Sequence, residues 1–304
     1  MHPNLGVQHR LGLQVLFDFT DIIDAIGFSS RHGFSALELN LGNIRFQEQL
    51  ASARERRRIR RAAEDSGIVL AIHAIDGPSF FIANDPVRRC GVKELCLVMD
   101  RAAEIGARNV IMHLGFDMGF SRADGKRFTH EEFPDYYRRA LAESFEELKS
   151  HAQGRCTLCV ENVAGFRYPL VKPLLERYLG GSLGLCFDVG HVNVLGPADR
   201  RVELAFLKKH LRHVHHSHIH DNSGQRDEHL VLGKGVIDFV PFFKLLVRTD
   251  ALLVFEVRPR QAGVESLRYF ERVIEPRLDG RNAECRVQNA ECKVRTRAAE
   301  GARA

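Results

Sequence analysis

Short apolar, β-branched stretches alternate with longer amphipathic ones along almost the whole of this 304-residue chain. The strand-like stretches are residues 11–17, 34–41, 68–74, 109–114, 157–163, 183–188, 212–219 and 251–257. Helical patterning fills the intervals: 20–32, 46–66 up to Gly67, 85–105 up to Gly106, 130–151, a segment from Pro169, 198–210, 238–247 and 264–274. Runs apolar on both faces suit parallel strands covered by crossover helices. Eight such units in roughly 250 residues predict a single (β/α)8 TIM barrel, an α/β fold. The barrel is expected over residues 1–280. From residue 281 the character changes: NAECRV at Asn282 and NAECKV at Asn289 repeat without an apolar face, so 281–304 is expected to be a disordered tail.

Within that frame the polar residues are unevenly placed. Six of the fifteen histidines fall between 213 and 235, HVHHSHIHDNSGQRDEHLVLGKG, which starts as a strand and breaks at Asn222-Ser223-Gly224. His73 and His113 end strands three and four, and Glu161 lies near the end of strand five. Asp188 ends strand six, with His191 three residues later. His218 ends strand seven, Asp227 and His229 follow in its loop, and Glu256 sits near the end of strand eight. TIM barrels build their sites at these strand ends. Neutral imidazoles and carboxylates are ligands for zinc or manganese, and unpaired charge buried in a core is costly. A metal site is therefore expected at Glu161, Asp188, His218, Glu256, His73, His113, His191, Asp227 and His229. One ion seldom takes more than about six ligands, so more than one is expected. Periodicity alone does not separate His218 from His213, His215, His216 and His220.

The segments VENVAG at Glu161, CFDVGH at Asp188, HIHDN at His218, RDEHLVLGKG at Asp227 and FEV at Glu256 resemble the motif series of the xylose isomerase-like barrel superfamily. That superfamily contains sugar and sugar-phosphate isomerases and epimerases, and also endonuclease IV. The resemblance implies a single-metal set of Glu161, Asp188, His218 and Glu256, with Glu161 and Glu256 as the catalytic acid and base. Its His-x-x-Asp pattern selects His218. Likeness to endonuclease IV, which holds three zinc ions, implies His73, His113, His191, Asp227 and His229 as well. The implied activity is metal-dependent isomerisation or epimerisation of a sugar, sugar phosphate or related polyol, through a metal-stabilised enediolate. The alternative is an endonuclease IV-like phosphoester hydrolase.

Three further residues are candidates for substrate binding. Lys234 lies in Gly233-Lys234-Gly235 after strand seven, where barrels often cradle phosphate on backbone N–H groups, though a plain tight turn would read the same. Arg258 shares the parity of Glu256 and would reach either substrate or Glu256 itself. Glu38 lies near the end of strand two, where it would bind substrate or support a ligand. Nucleic acid is not the expected partner: the tail supplies +3 of the net +5, and Asp76 and Asp117 occupy loops where a DNA backbone would want cations. A small sugar or sugar phosphate is expected instead, on a cytoplasmic protein without a membrane span, as a monomer or an oligomer. Seven cysteines, an odd number set mostly in apolar runs, suit reduced thiols.

Overall fold

Residues 7–278 are described by a computed structural model. The expected tail from 281 lies outside the described residues. Eight parallel strands close a barrel: Leu11–Val15, Ala36–Asn40, Val69–His73, Asn109–Met112, Thr157–Glu161, Leu183–Cys186, Val214–Ile219 and Leu252–Phe255. Each lies inside its expected stretch, and the first pairs with the last, Gly12 opposite Val254. The expected (β/α)8 TIM barrel is the observed fold.

The barrel interior is layered because strand side chains alternate in direction. A dry floor is made by Ala36, Ala71, Ile111, Cys159, Cys186, Leu252 and Val254, all essentially without solvent contact. Two residues further along the same strands, on the same inward face, stand Glu38, His73, His113, Glu161, Asp188 and Glu256. These apolar residues plug the barrel, and the polar layer rests on that plug at the C-terminal end. The outward faces pack on the helices through Leu37, Leu39, Leu70, Ile72, Leu158 and Val160.

Several connections differ from the expectation. The helix expected over 46–66 is two helices, Ile44–Ala51 and Ala53–Ser66, because the Ser52 side chain caps the second by accepting from Glu55 N. Its basic run is a solvated face on which Arg56 meets Glu104 at 2.6 Å and Arg60 meets Glu64 at 2.8 Å. The loop after strand four holds an antiparallel hairpin, Gly119–Arg122 with Gly125–Phe128, that the helix-strand alternation did not announce. No helix among the described residues is long and apolar enough to cross a membrane. Cys90, Cys96, Cys156, Cys159 and Cys186 are free thiols.

The loop after strand seven is fixed by a buried carboxylate. Asp221 accepts from the backbone N–H of Asn222, Gly233, Gly235 and Ile237 at 2.9–3.1 Å, and its own backbone pairs with Leu230 in both directions. Gly235 has to be glycine, since a Cβ there would collide with Asp221 Oδ1 and Asn222 O. The loop that carries Asp227 and His229 is thus tied at its base. Asp221→Ala leaves these donors without their acceptor, at ~1–3 kcal/mol for each one that stays dry. The expected result in urea denaturation is a loss of about 3 kcal/mol or more, with Asp221→Asn losing less; a loss below about 1 kcal/mol would show that the clamp is dispensable.

Candidate metal centre

All nine expected ligands converge at the C-terminal end of the barrel. The central group is Glu161, Asp188, His218 and Glu256, all buried, with ligand atoms within 4.8 Å of one another. His218 Nδ1 faces Glu256 Oε2 at 3.1 Å, Glu161 Oε2 at 3.3 Å and Asp188 Oδ2 at 3.7 Å. On one side lie His73 and His113, whose Nε2 atoms are 3.4 and 3.0 Å from Glu161 Oε2. On the other lie His191, Asp227 and His229, with Asp227 Oδ2 at 3.0 Å from His191 Nε2 and 3.2 Å from His229 Nε2.

Three residues join these groups beyond the expected set. Asp76 meets His113 Nδ1 at 2.9 Å, so its loop acid belongs to the cluster. His220 stands with His191, Asp227 and His229, reaching Asp188 Oδ2 at 3.2 Å. His216, one layer below His218, stands 2.5 Å from Glu38 Oε2. His216 and His220 share the parity of His218 along strand seven, and a bulge precedes them. Leu185 pairs with Val214 and Cys186 with His216, which leaves His215 as the extra residue. His215 turns outward to Asp250 at 2.9 Å.

Asp227 and His229 do meet, though not as neighbours on extended chain. His229 has φ 49°, a left-handed conformation rare outside glycine, and its Nδ1 is 2.9 Å from Glu256 O. The three substrate-binding candidates divide. Arg258 is half-buried and donates to Glu256 Oε1 at 3.1 Å and to Gln14 Oε1. Glu38 is fully buried beneath His218, away from the mouth of the barrel. The Gly233 and Gly235 N–H groups expected to cradle a phosphate already serve Asp221, so only the exposed Lys234 side chain remains there for an anion.

Does this set of residues fit metal ions? Glu161 Oε1 and His191 Nδ1 stand 3.1 Å apart, both buried, in contact but poorly aligned for a hydrogen bond. Three buried carboxylates and an imidazole with ligand atoms within 4.8 Å of one another are a donor set that a cation would satisfy. The charge states agree. Burial alone would lower His113, but Glu161 and Asp76 push it up to about 10. Burial likewise opposes His229, which Asp227 and Glu256 raise to about 9. Burial would raise Glu161, yet the His218 and His113 imidazoles hold it well below the ordinary carboxylate range. Protons on the imidazoles neutralise the carboxylates when no cation does.

A parallel eight-stranded barrel carrying buried histidines and carboxylates at its strand ends is a TIM barrel with a metal-type site. More particularly, the chain belongs to the xylose isomerase-like TIM barrel family, whose model matches residues 26–273. It is 28% identical over 203 residues to the uncharacterized protein y4fM of Sinorhizobium fredii, covering 64% of this chain and 61% of that one. The matched part spans only 59–65% of the length of its curated relatives. A D-tagatose 3-epimerase-like protein shares the fold with a TM-score of 0.72 at 18% identity, over 90% of this chain and 99% of that one. Endonuclease IV from Thermus thermophilus does so with a TM-score of 0.59 at 18% identity, over 86% and 97%.

Because ligating imidazoles must be neutral, metal uptake at neutral pH has to displace protons from groups such as His113 and His229. Affinity is expected to rise with pH and to level off above about 9–10, where those raised pKa values are passed. Zinc titration calorimetry in buffers of different ionisation enthalpy reads the protons released. A release of none, with affinity flat across neutral pH, would contradict this assignment.

Proposed function

We propose that the protein is a divalent-metal-dependent isomerase or epimerase of a sugar, sugar phosphate or related polyol, with zinc or manganese as the metal. The observation that carries this reading is the meeting of Glu161 and Glu256 in one group with Asp188 and His218. The two glutamates come from strands five and eight, which are not neighbours in the barrel, so they approach a substrate from different sides.

A divalent ion held by this group supplies positive charge beside a substrate carbonyl and makes the adjacent carbon more acidic. The chain's own carboxylates then move the proton. One removes it from the carbon and the other returns it to the opposite face, which inverts that centre. Glu161 Oε1 faces His191 Nδ1 at 3.1 Å, and Glu256 is steadied by Arg258 at 3.1 Å. Desolvation by the barrel wall strengthens each of these interactions.

The mouth of the site also favours a small molecule. Its loops present the exposed side chains of Phe17, Ile44, Phe116 and Met118, and the carboxylates of Asp76 and Asp117 are already engaged by His113 and His130. On the hairpin, Arg122 is taken by Asp124 at 3.0 Å. A duplex would need a row of free cations. Lys234 is the residue proposed to meet an anionic substituent. The epimerase-like structural neighbour supports the same reading.

One observation favours a second reading, a metal-dependent phosphoester hydrolase. Two further ligand groups, His73–Asp76–His113 and His191–His220–Asp227–His229, flank the central one. Clustered ions suit displacement at phosphorus. Deuterium exchange from solvent into a panel of ketoses and sugar phosphates, run beside cleavage of an abasic-site duplex, separates the two. Exchange is expected, falling by about 10²–10⁴-fold in Glu161→Gln and Glu256→Gln. Strand cleavage without exchange in any sugar would replace the isomerase reading by the hydrolase.

A further inference from the structure

The structure assigns Glu38 as a positioning residue that selects which nitrogen of His218 meets the metal, and that ties His218 to Glu256 through Gln14 and Arg258. This rests on the reading of the site as a metal centre, not on which reaction the centre runs.

Its starting point is a side-chain amide whose orientation is fixed. Asn109 Nδ2 donates to the backbone oxygen of His215 at 2.8 Å, which only the nitrogen end of an amide can do. The same nitrogen lies 3.3 Å from His216 Nδ1, so that atom accepts and the His216 proton sits on Nε2. His216 Nε2 faces Glu38 Oε2 at 2.5 Å. Gln14 Nε2 donates to Glu38 Oε1 at 2.7 Å. The remaining neighbour of this fully buried carboxylate is His218 Nε2, at 3.1 and 3.2 Å from its two oxygens.

An ionised carboxylate only accepts, so His218 holds a proton on Nε2, and Nδ1 is the nitrogen left to give its lone pair to a metal. That is the nitrogen facing Glu161, Asp188 and Glu256. Gln14 carries the arrangement across the barrel. Its Nε2 is committed to Glu38, so its Oε1 accepts from Arg258, which in turn donates to Glu256 Oε1. Glu38, His218, Glu256, Arg258 and Gln14 form a closed ring of contacts that holds two ligands of the central group against each other. The His216 group is not itself an ion site, because Nδ1 accepts and Nε2 bears the proton.

In Glu38→Gln the acid becomes an amide with one acceptor oxygen and an NH2 group. Three N–H donors already converge there, so the new amide must face at least one of them. The probe is cobalt(II) alone. Affinity at the tightest site is expected to fall about 10–100-fold, the range for loss of a partner that orients a ligating histidine. In cobalt-loaded wild-type protein with 15N-labelled histidine, a paramagnetically shifted, exchange-protected Nε2–H resonance is expected from buried His218, assigned by its loss in His218→Gln. Glu38→Gln should lose or displace that resonance while its circular dichroism stays native. Glu38→Asp keeps the charge but withdraws it by one methylene, and should weaken cobalt by less while retaining the signal; it decides the matter if the glutamine variant does not fold. Cobalt affinity and resonance unchanged in both variants, or a proton found on Nδ1, would overturn the assignment, as would wild-type protein that takes up no cobalt. A normal cobalt signature with no exchange into any sugar would support it while removing the isomerase reading.

Discussion

Glu161 is the group on which the arrangement depends. Its carboxylate is 1% exposed, and carrying such a charge out of water costs several kcal/mol unless partners replace the solvent. Four imidazoles do so: His113, His73 and His218 approach Oε2, and His191 approaches Oε1. Those imidazoles bring the remaining acids with them, because His218 faces Asp188 and Glu256, and His191 faces Asp227. The cluster is therefore one electrostatic unit. Removing any member leaves another buried charge short of a partner.

Barrel geometry makes this economical in sequence. An apolar residue at floor level on strands two to six and eight, followed two positions later by a polar one, is enough to stack a polar layer on an apolar plug. This is why the fold and most of the cluster were legible in the sequence. His73, Glu161, Asp188 and Glu256 end or follow short buried strands, and strand ends in a TIM barrel share one rim.

What was not legible has physical causes. His216, His218 and His220 share one parity and one face of strand seven, so spacing alone does not tell which of them meets the central acids. The glycines around Lys234 look like a phosphate cradle, but the anion they hold is the chain's own Asp221, twelve residues from Gly233, and sequence does not show which acid fills a nest of N–H groups. Glu38 lies in the middle of strand two, and its partners Gln14, His216 and His218 come from strands one and seven, so only the closed barrel reveals that it lies beneath the site. Asp76 joined the cluster unannounced because its loop folds back over His113.

The most direct test of the central claim is anomalous diffraction from crystals of the protein grown with zinc or manganese, measured at the absorption edge of that metal. A peak is expected among Glu161, Asp188, His218 and Glu256, with at least one more beside His73 and His113 or beside His191, Asp227 and His229. Crystals that show no peak in the central group at saturating metal, with the histidines still in contact with their carboxylates, would contradict it.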